Sequence, residues 1–120
     1  MTSATKITNK DFDKIRLKYQ GLVILECAGD HNGLLKTMES VIDKLQESIT
    51  IPFRHLRIDP QKDAFIIHQF HVFKEPSYLF FFNGKFIDRL DGIISYNDFS
   101  RRINEHITSL TIDNNDSSLI

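Results

Sequence analysis

The sequence predicts an α/β fold in which a mixed central β-sheet of about five strands is flanked by four helices. Segments with apolar residues at helical spacing alternate along the chain with short runs rich in β-branched and aromatic residues. The last two of these runs are joined by a tight turn. The predicted order is therefore β-α-β-α-β-α-β-β-α. Strands joined through helices pair in parallel by right-handed crossovers, whereas the final hairpin adds antiparallel strands.

The first half of the chain predicts a short edge strand, an amphipathic helix, a second strand and a second helix. The second strand is a continuous apolar run, which is typical of a central strand buried on both faces. Both helices carry apolar residues at intervals of three and four positions, so each presents one face to a core. The predicted ranges are 4–7, 9–19, 22–25 and 34–47.

The second half predicts a strand, a third helix, a hairpin and a final helix. Asp59 and Pro60 predict the start of the third helix, with Asp59 as the N-cap and Pro60 as the first helical residue. The pair Asn83 and Gly84 favours a type I′ hairpin turn. Ser95, followed three residues later by an aspartate, predicts the start of the last helix. The predicted ranges are 52–58, 59–70, 77–82 and 85–90, with the last helix beginning at 95.

Composition predicts one globular domain over residues 1–110 and a flexible C-terminal tail over 111–120, where asparagine, aspartate and serine cluster. A net charge of −1 with interspersed acids and bases does not indicate a nucleic-acid or membrane partner. The first residues lack the apolar stretch of a signal peptide, and no run approaches the roughly 20 apolar residues of a membrane span. We therefore expect a cytoplasmic protein.

Several features occur together at fixed spacings. They are the buried strand 23–27 before a turn and a long helix, Asp59 at a strand end, Pro76 before a strand, the hairpin 82–85 and Gly92. In this combination the chain from about Lys6 to Ile107 resembles the thioredoxin family. The resemblance implies the thioredoxin fold and a cis peptide bond before Pro76.

The resemblance fails at the redox motif. The family's Trp-Cys-Gly-Pro-Cys falls on His31, Asn32, Gly33, Leu34 and Leu35, and only the glycine is retained. Thiol–disulfide exchange needs an attacking thiolate and usually a second, resolving thiol. Asn32 and Leu35 supply neither, so we predict no catalytic residues and no enzyme of this class.

Two residues of the central strand stand near this degenerate motif. Glu26 matches the family's buried acid, and burial predicts a raised pKa. We interpret it as a structural acid, capped by water or paired with a lysine; the candidates are Lys36, Lys44 and Lys62. Cys27, the only cysteine, is interpreted as an inert buried residue, with one exposed reactive thiol as the alternative.

A binding groove is implied by the family resemblance. In that family the backbone before the cis-proline pairs with an extended substrate, a contact that does not need cysteines. The predicted groove residues are Asn32, Leu34, Phe73, Glu75 and Pro76. The alternative is that Asn32 only caps the helix and Pro76 only shapes a turn.

The sequence thus predicts a redox-inactive protein- or peptide-binding module with an adaptor or chaperone-like role, as a monomer or weak homodimer. We predict no cofactor and no metal, because His68 and His71 are two possible ligands without a third. Two alternatives stay open. One is a single-cysteine or glutathione-linked thiol protein. The other is a subunit of a larger assembly that buries exposed phenylalanines of the closing hairpin.

Overall fold

The computed structural model describes residues 4–118, and it describes the side chains of these residues except residue 67 and residues 110–118. In this part of the chain there are five strands and four helices in the predicted order. The elements are β1 (Thr5–Lys6), α1 (Asn9–Lys18), β2 (Leu22–Cys27), α2 (Leu35–Ser48), β3 (Phe53–Ile58), α3 (Ala64–Phe70), β4 (Ser77–Phe82), β5 (Lys85–Asp91) and α4 (Tyr96–Ser118).

The strands form one mixed sheet in the order β1-β3-β2-β4-β5. β3 is parallel to both β1 and β2, whereas β4 is antiparallel to β2 and to β5. All six residues of the central strand β2 are buried, as its continuous apolar run predicts. The predicted mixed α/β sheet is confirmed.

Two helices cover each face of the sheet. The core on one face joins side chains of α1 and α3 to alternate residues of β2, such as Val23 and Leu25. The core on the other face joins α2 and α4 to the intervening residues, such as Leu22 and Ile24. Side chains of a strand point alternately to opposite faces, so the continuous apolar run of β2 supplies both cores.

The predicted start of the third helix is wrong. α3 begins at Ala64, and a separate turn precedes it. The Asp59 side chain accepts a hydrogen bond from the Gln61 amide, and its carbonyl accepts from the amides of Lys62 and Asp63. An aspartate that accepts hydrogen bonds from the amides of the residues just after it closes a local turn. Here that turn occupies the place where the first turn of the helix was predicted.

The closing hairpin confirms the predicted turn. Asn83 and Gly84 have φ values of 51° and 82°, the left-handed pair that a type I′ turn requires. The tip rests on α1, where Arg16 Nε donates to the Gly84 carbonyl at 2.7 Å. A Cβ on residue 84 would lie 2.5 Å from the Arg16 carbonyl oxygen, so this contact needs glycine.

The last helix is longer than its apolar pattern indicates. α4 continues to Ser118, through most of the range predicted as a loose tail. The last two residues of that tail lie outside the described residues, and its flexibility stays a prediction. None of the helices within 4–118 is long and apolar enough to cross a membrane.

Candidate functional site

Three loops meet at one end of the sheet. The turn after β2 (28–34), the loop before β4 (71–76) and the loop after β5 (92–95) lie together because β2 and β5 end opposite the start of β4. Gly29 donates its amide hydrogen to Glu75 Oε1 at 2.8 Å. This bond ties the turn that leads into the degenerate motif to the segment before the proline.

Two further contacts fix the third loop. The Gly92 amide donates to the Pro76 carbonyl at 2.7 Å, and the Ile94 amide approaches Met38 Sδ at 3.4 Å. Gly92 has a φ of 86°, and a Cβ there would lie 3.2 Å from Lys74 Cε. Glycine therefore permits the conformation of this loop, whereas the Lys74 side chain is flexible enough to make room.

The peptide bond between Glu75 and Pro76 is cis, as the family resemblance implies. Pro76 is buried and Glu75 is half-buried. No hydrogen bond within the described residues uses the backbone N–H or C=O of Phe73 or Glu75. The segment before the proline therefore has backbone donors and acceptors without protein partners.

Each of the three loops exposes one large apolar side chain. Leu34 is 39% exposed, Phe73 81% and Ile93 54%. Leu34 and Phe73 belong to the predicted groove, whereas sequence reasoning missed Ile93. Ile93 could have been singled out from the sequence because it directly follows Gly92 in a loop. Binding residues are often found on loops.

Asn32 closes a turn directly before α2. Its Oδ1 accepts from the Leu34 amide at 2.9 Å and its carbonyl accepts from the Leu35 amide at 3.2 Å. Leu35 is 8% exposed and belongs to the buried face of α2. The helix α2 has Leu34 at its N-cap position and no side-chain cap, so the prediction that Asn32 caps this helix is wrong. The Asn32 side-chain oxygen is used within its own turn.

Arg89, which sequence analysis did not single out, supports the loop before β4. Its Nη1 donates to the Phe70 carbonyl at 2.6 Å and its Nη2 lies 3.3 Å from the His71 carbonyl. A 3.0 Å ion pair with Asp91, which also accepts from the Ser77 hydroxyl, holds the guanidinium in place. An arginine on the last carbonyls of a helix is a stabilising C-terminal partner, and this one fixes where α3 ends.

A buried carboxylate lies beneath these loops. Glu26 is 1% exposed. It accepts from Arg57 Nε at 2.7 Å and from the Tyr78 hydroxyl at 2.6 Å, while His55 Nε2 lies 3.4 Å away. Arg57 and Tyr78 are its direct neighbours on the two adjoining strands. The predicted lysine partner is wrong, because the cation is an arginine placed by strand register.

The predicted direction of the Glu26 pKa is also wrong. Burial raises the pKa of this carboxyl, but the adjoining His55 imidazole, the Tyr78 hydroxyl and the Arg57 guanidinium outweigh burial and lower it overall. Burial and the adjacent Glu26 carboxylate raise the pKa of Tyr78. Glu26 is therefore ionised and Tyr78 protonated near neutral pH.

Cys27 is fully buried. Burial raises the pKa of its thiol to about 12. Because the thiolate is the reactive species, this thiol is poorly suited to exchange at neutral pH. The structure agrees with the interpretation of an inert cysteine and does not expose the thiol that the alternative requires.

The remaining candidates do not form a site. His71 lies beyond the end of α3 with a φ of 53°, so it does not share a helical face with His68. Within the described residues, no three histidine, cysteine or acidic side chains are grouped to hold a metal ion. In the hairpin, Phe80 and Phe81 are buried and Phe86 is 37% exposed. These residues therefore offer little apolar surface to the larger assembly that the second alternative requires.

Comparison with known proteins adds no assignment. No family model matches the chain, and no curated protein matches it significantly. The function proposed below therefore rests on the three loops, the cis-proline and the exposed apolar side chains.

Proposed function

We propose that this chain has a thioredoxin fold and binds an extended segment of a partner protein beside Pro76, without thiol–disulfide chemistry. The strand order, with β4 antiparallel to the central strand, supports the fold assignment. The cis bond at the entrance to β4 supports it as well. Both features are implied by the resemblance in sequence.

The unpaired backbone of Phe73 and Glu75 carries the proposal. N–H and C=O groups without protein partners are a template for pairing with another chain. A partner segment beside residues 73–75 would accept hydrogen bonds from these N–H groups and donate to these carbonyls, as in β-augmentation. Such binding depends on the main chain, so it does not require either cysteine of a redox motif.

The exposed side chains supply the second component. Leu34, Phe73 and Ile93 come from three loops that hydrogen bonds hold together at one end of the sheet. Exposed apolar side chains at one end of a molecule are more typical of a protein-binding surface than of ordinary protein surface. We expect them to contact apolar residues of the bound segment and to select for these.

The chemistry of the site supports binding rather than exchange. Asn32 and Leu35 replace both motif cysteines, and the Asn32 side-chain oxygen accepts a hydrogen bond from the Leu34 amide. The one remaining thiol, on Cys27, is buried with a pKa near 12. Within the described residues, no contact favours the alternative of a single-cysteine or glutathione-linked thiol protein.

The test is a selection of short peptides from a displayed random library, followed by titration of the isotope-labelled protein with a selected peptide. We expect shifts in the amide signals of residues 33–34, 73–75 and 92–94. Shifts confined to other surfaces, such as the closing hairpin or α4, would contradict the proposal and move the interface there. Failure to select any peptide would also contradict it.

A further inference from the structure

A second surface lies at the opposite end of the sheet from these loops. We name it the basic groove and define it by Lys14, Ile15, Lys18, Tyr19 and Arg54, which line a shallow groove of about 330 Å³. Arg54 pairs with Val23 at the start of β2, whereas the loops around Pro76 follow the end of β2. The two surfaces are therefore separate.

The groove is built on regular structure. Lys14 and Lys18 are four residues apart on α1, so their side chains are neighbours on one face of the helix. Arg54 projects from β3, and its guanidinium lies 5.5 Å from the centre of the Tyr19 ring. Stacking on an aromatic ring orients a guanidinium and leaves its donors free at the edge.

The charges of the groove are of one sign. Its lining contains three cations and no acid. Among the described residues, none of the three cations forms an ion pair, and all three are exposed. The acid on the same face of α1, Asp11, is held one turn away by the Thr8 hydroxyl and amide.

We infer that the basic groove binds an acidic, extended segment of a partner protein. Three exposed cations along a rigid surface match several carboxylates in a row, and Arg54 can bind a carboxylate through two parallel hydrogen bonds. Ile15 and Tyr19 offer apolar contact between the charges. The groove is open and has few cations, and the chain has a net charge of −1, which together favour a short acidic peptide over nucleic acid.

The direct test uses a fluorescent peptide of alternating glutamate and serine, with a glutamine-for-glutamate peptide as the neutral control. We expect the protein to bind the glutamate peptide at low salt and to release it as salt rises, because exposed charges are screened. Amide signals of residues 14–19 and 54 should shift on binding. Equal binding of both peptides, or no binding of the glutamate peptide, would overturn the inference.

Charge reversal tests the location. The double variant Lys14→Glu and Lys18→Glu should bind the glutamate peptide at least about tenfold more weakly, since each exposed pair contributes little alone but the contributions add. Lys36→Glu, which changes an exposed lysine on α2, should leave affinity unchanged. An equal loss of affinity in the double variant and in Lys36→Glu would refute the assigned location. Tighter binding of a short single-stranded RNA than of the peptide, lost in the double variant, would refute the assigned partner.

Discussion

The Tyr78 hydroxyl donates a 2.6 Å hydrogen bond to Glu26 Oε2 across the neighbouring strands β4 and β2. Both residues are almost fully buried, and Arg57 holds the other carboxylate oxygen from β3. A single ionised carboxylate therefore links the three central strands. Each of the two residues lies one position from the strand end that carries a loop of the proposed binding site.

The first prediction concerns this hydrogen bond. Tyr78→Phe leaves Glu26 Oε2 buried without its donor, so the free energy of unfolding should fall by about 2 kcal/mol, the usual range for a buried charged acceptor. Tyr96→Phe is the matched control, because the Tyr96 hydroxyl contacts Ser48 at an exposed site. Its loss should be about 0.5 kcal/mol or less. If chemical denaturation shows the same loss of unfolding free energy in both variants, the buried hydrogen bond does not have the predicted importance.

The second prediction concerns pH. The folded-state pKa of Glu26 lies below its ordinary value of 4.5, so its ionisation stabilises the native state above that pH. This stabilisation is lost as the pH falls through the lower folded-state pKa. Glu26→Gln should therefore be less stable at neutral pH and should lose less stability on acidification than the natural chain. Unfolding curves across the acid range that change by the same amount in both proteins would show that Glu26 is not the linked group.

Much of the fold follows from local patterns, whereas the partner of Glu26 does not. Helical spacing, the apolar run of β2 and the Asn83–Gly84 turn are local signals, and each led to the right element. Arg57 meets Glu26 only because β3 and β2 pair in one particular register, which is set by tertiary packing. The start of α3 was missed for a different reason, since the Asp59 side chain serves equally well as a helix cap or a turn cap.

The candidate site was predictable in part. Pro76 and the apolar residues Leu34 and Phe73 were found from the family resemblance, and the cis bond confirms one of its implications. Ile93 and Arg89 were missed, because their importance depends on which loops and carbonyls meet in the folded chain. Such contacts between distant segments leave little periodic signal in a sequence.

The third prediction concerns the support of the loop before β4. Arg89→Gln removes the cation that binds the carbonyls of Phe70 and His71, so the end of α3 should open more often and the amide hydrogens of residues 68–70 should exchange faster with solvent. Arg101→Gln is the control, since its ion pair with Asp98 is mostly exposed. Unchanged exchange in the Arg89 variant would mean that the end of α3 is held by its other contacts.

The fourth prediction concerns the apolar side chains. Phe73 and Leu17 are both 81% exposed, but Leu17 lies on α1 near the hairpin tip. Phe73→Asp should weaken binding of a selected peptide by at least about tenfold, which is the effect of losing an aromatic anchor. Leu17→Asp should leave the affinity unchanged. Both variants should unfold at nearly the same denaturant concentration as the unsubstituted protein. Similar affinities for the two variants would exclude Phe73 from the interface.

The most direct test of the central claim is backbone methylation of a selected peptide. If the segment pairs with the backbone of Phe73 and Glu75, N-methyl groups at the peptide positions facing this edge should abolish binding. N-methyl groups at the intervening positions should leave it nearly unchanged, which is the alternation of a paired strand. Affinity measured by calorimetry should follow this two-residue alternation. Equal tolerance of methylation at every position would contradict main-chain pairing beside Pro76.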